Sequence, residues 1–177
     1  MPQVEFTEDL ITGIDDIDRH HRAMVAWANR LLGTEVDHGL ATHTMAALVD
    51  YIAYHFAAEE EAMVRLGYEG LEKHRAQHQR IAREAERLQV DVAAGLGRAT
   101  LVKLQCFVED WFFQHIRQLD GAFAQFVRER GAAGEEVTLP PPRGVGALDV
   151  DALQNVEVVH AAGELSPSEL RARLRRG

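Results

Sequence analysis

Apolar residues recur at helical spacing in four long stretches of the chain, and glycines punctuate the gaps between them. The first stretch begins near Asp15 or Asp16, either of which can cap a helix, and sets Ile17, His21, Met24, Ala28, Leu31 and Leu32 on one face. Gly33 and Gly39 mark its end. The second, over residues 40–66, aligns Met45, Leu48, Ile52, His55, Glu59 and Met63, and the third, over 69–94, aligns Leu71, His74, His78, Ile81, Ala85 and Leu88. The fourth, over 99–130, is the most aromatic, with Phe107, Trp111, Phe112, Phe113, Phe123 and Phe126. Residues 1–14 mix Val4, Phe6, Leu10, Ile11 and Ile14 with polar side chains, which predicts an extended arm laid along the helices. Four long helices joined by short links predict an all-α fold, an antiparallel up-down four-helix bundle.

The pattern changes past residue 130, where glycines surround a run of three prolines, Pro140 to Pro142. The predicted organisation is a bundle over 1–130, a Gly/Pro-rich linker over 131–148 and a short helical hairpin tail over 149–177. In that tail Asp149 can cap a helix reaching Val159 or His160. Ser166, Pro167 and Glu169 have the arrangement that starts a second helix, ending in Arg171, Arg173, Arg175 and Arg176. Those arginines complement a helix C-terminus, and they also suit a protein partner for the tail.

Charge narrows the partners. With 28 acidic against 19 basic residues the net charge is −9, and no basic stripe precedes the last few residues, which argues against nucleic acid. No basic-plus-apolar leader and no run of about 18 apolar residues is present, so a cytoplasmic protein with no membrane contact is expected. The single cysteine, Cys106, excludes an intramolecular disulfide and, lying among Leu101, Val102, Leu104, Phe107 and Val108, is expected to be a small buried apolar side chain.

The polar residues inside the apolar faces carry the chemistry. His55 and Glu59 stand four apart, as do His74 and His78, so each pair turns only about 40° around its helix and shares a face. His21 lies on the first helix, and His115, followed by Asp120, on the fourth. One histidine on an apolar face is commonly a hydrogen-bonded core residue. That explanation would have to hold on all four helices at once, together with Glu59 and Asp120, at a cost of several kcal/mol for each unpaired group. A metal site accounts for them together. His20, rotated about 100° from His21, is expected to face solvent, and His38, His43 and His160 lie outside the helix faces. Five imidazoles and two carboxylates exceed what one ion holds, whereas two ions joined by both carboxylates and a solvent oxygen would take three imidazoles on one side and two on the other. The second ion keeps an open position. Imidazole and carboxylate donors without thiolate suit iron, with manganese or zinc as substitutes.

The stretches IDRHHR around His21, HFAAEEEAM from His55 to Met63, HRAQH from His74 to His78 and WFFQHIRQLD from Trp111 to Asp120 together resemble the hemerythrins in their single-domain bacterial form, over residues 4–128. The resemblance implies a pair of iron ions bridged by oxygen. His74, His78 and His115 would bind one iron and His21 and His55 the other, with Glu59 and Asp120 bridging. It implies reversible binding of dioxygen for storage, delivery or sensing, in a pocket lined by Phe56, Trp111 and Phe112. This chain departs from the family pattern at Phe112, where an aliphatic residue is usual, and at Phe123, where a tyrosine is usual. The alternative is a di-iron enzyme, such as a peroxide or nitric oxide reductase or a ferroxidase, but none of the five histidines on the helix faces belongs to a Glu-x-x-His pair of the kind that oxygen-activating bundles use.

Overall fold

The computed structural model describes residues 3–33, 37–131 and 137–139. Its helices are α1, Asp15–Leu32, α2, His38–Leu66, and α3, Leu71–Ala94, followed by a fourth rod, α4, over residues 98–131. They form the antiparallel up-down bundle that the periodicity predicts, close to the expected boundaries. Among the described residues no helix is long and apolar enough to cross a membrane.

Short-range chemistry sets the ends. Asp37 caps α2 by accepting a hydrogen bond from the Leu40 N–H at 2.9 Å. Gly67 closes the same helix in the left-handed region, at φ 65°, where a side chain would be strained. The start of α1 differs from expectation: its cap position is Ile14, which makes no side-chain cap, and neither Asp15 nor Asp16 fills that role. The buried Asp18 does the tethering instead, accepting from the Thr12 N–H and hydroxyl, both at 2.8 Å, and from the Gly13 N–H at 3.0 Å. This anchors the arm, whose Leu10, within a one-turn helix over Glu8–Leu10, is fully buried.

The rod α4 is wound in two ways. Arg98–Cys106 is α-helical, Phe107–Phe112 is π-helical, Phe113–His115 is a brief α-helical return, Ile116–Asp120 is π-helical again, and Gly121–Gly131 is α-helical. In its first segment only Leu104 is buried, and Cys106 is exposed rather than buried as expected. The cause is geometric: the apolar run is wider than the strip that meets the bundle, so Val102 and Cys106 fall outside it.

The end of the bundle next to the histidines is apolar. Ile14, Ile17, Ala62, Met63, Leu66 and Phe123 pack there, and burying Phe123 completely contributes roughly 1.5–3 kcal/mol. Leu139 joins this cluster, its N–H donating to Asp16 at 3.0 Å, while Arg65 donates to the Thr138 carbonyl at 3.2 Å. The packed body therefore includes residues beyond 131, where the linker was expected to begin. The helical hairpin expected over 149–177 lies outside the described residues.

Candidate metal centre

All four helices deliver ligand-type side chains to one interior place. His21 comes from α1, His55 and Glu59 from α2, His74 and His78 from α3, and His115 and Asp120 from α4; the most exposed of the seven, His115, is at 5%. The pairs on α2 and α3 share a face because four residues make about one turn of a regular helix. His115 and Asp120 are five apart, which in a regular α-helix would separate them by about 140°. The π-helical winding of Ile116–Asp120, whose hydrogen bonds span five residues, brings them to one face, and their side chains approach within 3.0 Å.

The donors form two adjoining sets. On one side the Nε2 atoms of His74 and His78 each lie 3.1 Å from that of His115. On the other, the Nε2 atoms of His21 and His55 are 3.2 Å apart. Asp120 touches both sets, with Oδ1 at 3.0 Å from His74 and His115 and Oδ2 at 3.2 Å from His21. Glu59 Oε2 stands 3.3 Å from His74 and 3.2 Å from His78. Donor atoms of Glu59, His74, His78, His115 and Asp120 all fall within 4.8 Å of one another.

These residues fit metal ions. Two nitrogens bound at about 2.1 Å to one ion at right angles stand about 3 Å apart, close to the spacings found here. All four carboxylate oxygens of Glu59 and Asp120 are buried without a properly aligned hydrogen-bond donor, although imidazole nitrogens lie close by. Rings and carboxylates thus aim at shared points rather than at each other. Two buried carboxylates left this way would be costly, and cations remove the cost.

The electrostatics agree. Burial pushes the imidazolium of His74 down, but the Asp120 and Glu59 carboxylates outweigh it and lift the group to about 9. His78 is likewise raised by Glu59 and Glu60 against its burial. Burial and Asp120 push the Glu59 carboxyl up, yet His74 and His78 hold it below its ordinary value. Asp120, which burial would also raise, is held well down by His115, His21 and His74. Protons thus compensate the carboxylates where cations would, and cation binding must displace them.

Of the residues expected to line a pocket, two reach this place. Phe56 stacks on His78 with ring centroids 3.8 Å apart, and Phe112 meets His21 edge-on at 5.5 Å. Trp111 is not brought to the buried cluster; it is 36% exposed, under the Arg80 guanidinium in an open cleft of about 310 Å³ between α3 and α4.

Two residues near the ligands were missed. His20 is buried, not solvent-facing: its Nδ1 lies 3.4 Å from His55 Nδ1, its ring packs on Tyr51 and Tyr54, and desolvation pushes its pKa down to about 4. The signal was available, because position 20 lies three residues after Ile17 and four before Met24, within the apolar stripe. Glu60, in the acidic run after Glu59, accepts a hydrogen bond from His78 Nδ1 at 2.9 Å. No period marks it.

Comparison with known proteins agrees with the site. The family described as "Hemerythrin HHE cation binding domain" matches residues 12–127. The chain is 31% identical over 130 residues to the bacteriohemerythrin of Pseudomonas aeruginosa (strain LESB58), covering 72% of this chain and 84% of that one. It is 30% identical over 144 residues to the bacteriohemerythrin of Stenotrophomonas maltophilia (strain R551-3), covering 76% and 93%. A solved structure of a leucine-to-phenylalanine mutant, 26% identical, superposes with a TM-score of 0.61 over 71% of this chain and 97% of its own. With its four-helix bundle and a buried histidine and carboxylate cluster that fits metal, the chain belongs to the hemerythrin family.

Proposed function

We propose that the cluster holds two iron ions and that the protein binds dioxygen reversibly, for storage, delivery or sensing. One observation carries the reading: two imidazole sets, of three and two rings, share Asp120 between them in a fully buried setting. When bound, the iron pair supplies the two electrons that reversible dioxygen binding requires.

The chain's own residues determine where and how. His74, His78 and His115 leave less room for an outside ligand than His21 and His55 do, so the small molecule's place is on the side of α1 and α2. Phe112, 3% exposed and set edge-on to His21, walls that side with hydrocarbon and holds water away. Phe56 covers the opposite set by stacking on His78. Glu59, whose carboxylate oxygens are both buried without a donor, would hold metal together with Asp120.

The test is to reduce the iron-loaded protein anaerobically, admit oxygen, and then remove it. A visible charge-transfer band that appears with oxygen and disappears on its removal is expected. Steady oxygen consumption, or prompt bleaching with peroxide release, would instead make the protein a di-iron enzyme.

A further inference from the structure

A histidine that ligates through one ring nitrogen is oriented and tuned by whatever the other nitrogen meets. The Nε2 atoms of the five histidines face the cluster, so Nδ1 is the outer atom of each. Those of His21, His74 and His115 are buried with no partner among the described residues. The other two have side-chain partners, one on each half of the centre, and the partners differ in charge.

On the three-ring half, His78 Nδ1–H donates to Glu60 Oε1 at 2.9 Å, and Glu60 Oε2 accepts from Arg75 Nε, also at 2.9 Å. Arg75 is itself held by Glu72 at 2.8 Å. An anionic acceptor fixes the ring and draws its proton outward, which makes Nε2 a stronger donor to a cation. On the two-ring half, His55 Nδ1 meets His20 Nδ1 at 3.4 Å, a longer contact. With Nε2 of His55 turned to the cluster, its Nδ1 carries the proton, and His20 Nδ1 must accept it as an uncharged ring. His20 is locked in that role between Tyr51 and Tyr54, at 5.4 and 5.5 Å between ring centroids.

We propose that Glu60 and His20 are positioning residues that make the two metal positions unequal, so that the ion held by His74, His78 and His115 stays when the ion held by His21 and His55 is removed. This rests on the two-ion reading above.

The full chain, loaded with iron, is challenged with increasing chelator while iron per chain and the melting temperature of the stripped protein are recorded. The wild type is expected to pass through a plateau at one ion per chain. His20→Phe keeps a ring between the tyrosines but removes the acceptor, and it should release the first ion at about 10- to 100-fold less chelator while leaving the second step in place. His20→Gln, which restores an acceptor oxygen, should return the first step toward the wild type. Glu60→Gln retains the shape and loses the charge; it should weaken the second step by about the same factor and erase the plateau. Equal weakening of both steps in the two variants, or release curves like the wild type's, overturns the inference while leaving the two-ion reading standing. A wild type that takes up a single ion overturns both. The stripped protein's melting temperature identifies any variant that has merely loosened the bundle, and the case is then decided by whether the losses of His20→Phe and Glu60→Gln fall on different steps and whether His20→Gln regains the first.

Discussion

The third and fourth helices each supply two ligand-type side chains to the same buried cluster, and they do it with different backbones. On α3 His74 and His78 sit four residues apart in a regular helix, part of one stripe with Ile81, Ala85 and Leu88. On α4 His115 and Asp120 sit five apart, and the helix is wound in π form from Ile116 to Asp120 to bring them together. A regular helix yields a ligand pair at no cost in backbone geometry, whereas a five-residue spacing needs a local departure, and such departures tend to occur at functional sites. Helix α3 thus places its histidines by sequence period, and α4 places His115 and Asp120 by a local change of winding.

The largest effect is expected on α3. His74 lies within 3.3 Å of both carboxylates, so His74→Ala strips Glu59 and Asp120 of their shared neighbour. Iron content should fall well below two per chain, and the metal-free bundle should lose about 3–5 kcal/mol, because an uncompensated buried charge is left behind. Elemental analysis together with denaturant unfolding checks both, and full iron retention would remove His74 from the ligand set.

Phe112 tests the first π segment of α4. Phe112→Ala should cost about 3–5 kcal/mol and make the oxygenated colour fade faster, since water then reaches the side of His21. Phe112→Leu, at smaller packing cost, should fade at an intermediate rate. If both variants fold and the alanine form fades no faster than the wild type, the wall lies elsewhere.

A third test separates protons from cations. In chelator-stripped protein the folded His74 titrates near 9, above its ordinary 6.5, so its contribution to stability is complete below pH 6.5 and is lost as pH rises through 9. His20 is shifted the other way, to about 4, so keeping it neutral costs stability as pH falls from 6.5 toward 4. The depressed carboxyls of Glu59 and Asp120 add to that acid loss below their unfolded values. The melting temperature of stripped protein should therefore peak near pH 6.5 and fall on both sides. Iron-loaded protein should lose the alkaline fall, because a ligating His74 carries no such proton; calorimetry across pH 4 to 9.5 decides.

The smallest effect concerns Gly121, just after the second π segment. Its backbone is ordinary for a helix, φ −58°, and an added methyl would meet only the Ile116 carbonyl at 3.6 Å. Gly121→Ala should stabilise by up to about 1 kcal/mol and leave iron content unchanged if the ligands and core, rather than glycine's freedom, hold the winding. A drop in iron would show that the glycine is required.

Much of this was legible in the sequence because it repeats. The four helices and the pairs His55 with Glu59 and His74 with His78 follow from helical period, and α1 through α3 end close to where glycines stop the pattern. Asp120 was legible only as a carboxylate close after His115 in the sequence, since a five-residue spacing matches no regular helix face. The π winding of α4 is set by packing and by the site, and no residue type announces it. His20 was misplaced because adjacency to a ligand was weighed above its own stripe positions, and Cys106 because an apolar run was read as wider burial than one bundle-facing strip provides. Trp111 was expected at the pocket through the resemblance, and it lies partly exposed under Arg80, in a cleft that His115 also lines.

The most direct test of the account is an anaerobic titration of stripped protein with ferrous iron, following proton release and iron bound per chain. The account predicts saturation at two ions, with protons released during uptake at pH 7 as the imidazoles that compensate Glu59 and Asp120 give up theirs. Saturation at one ion, or uptake with no release of protons, would contradict it.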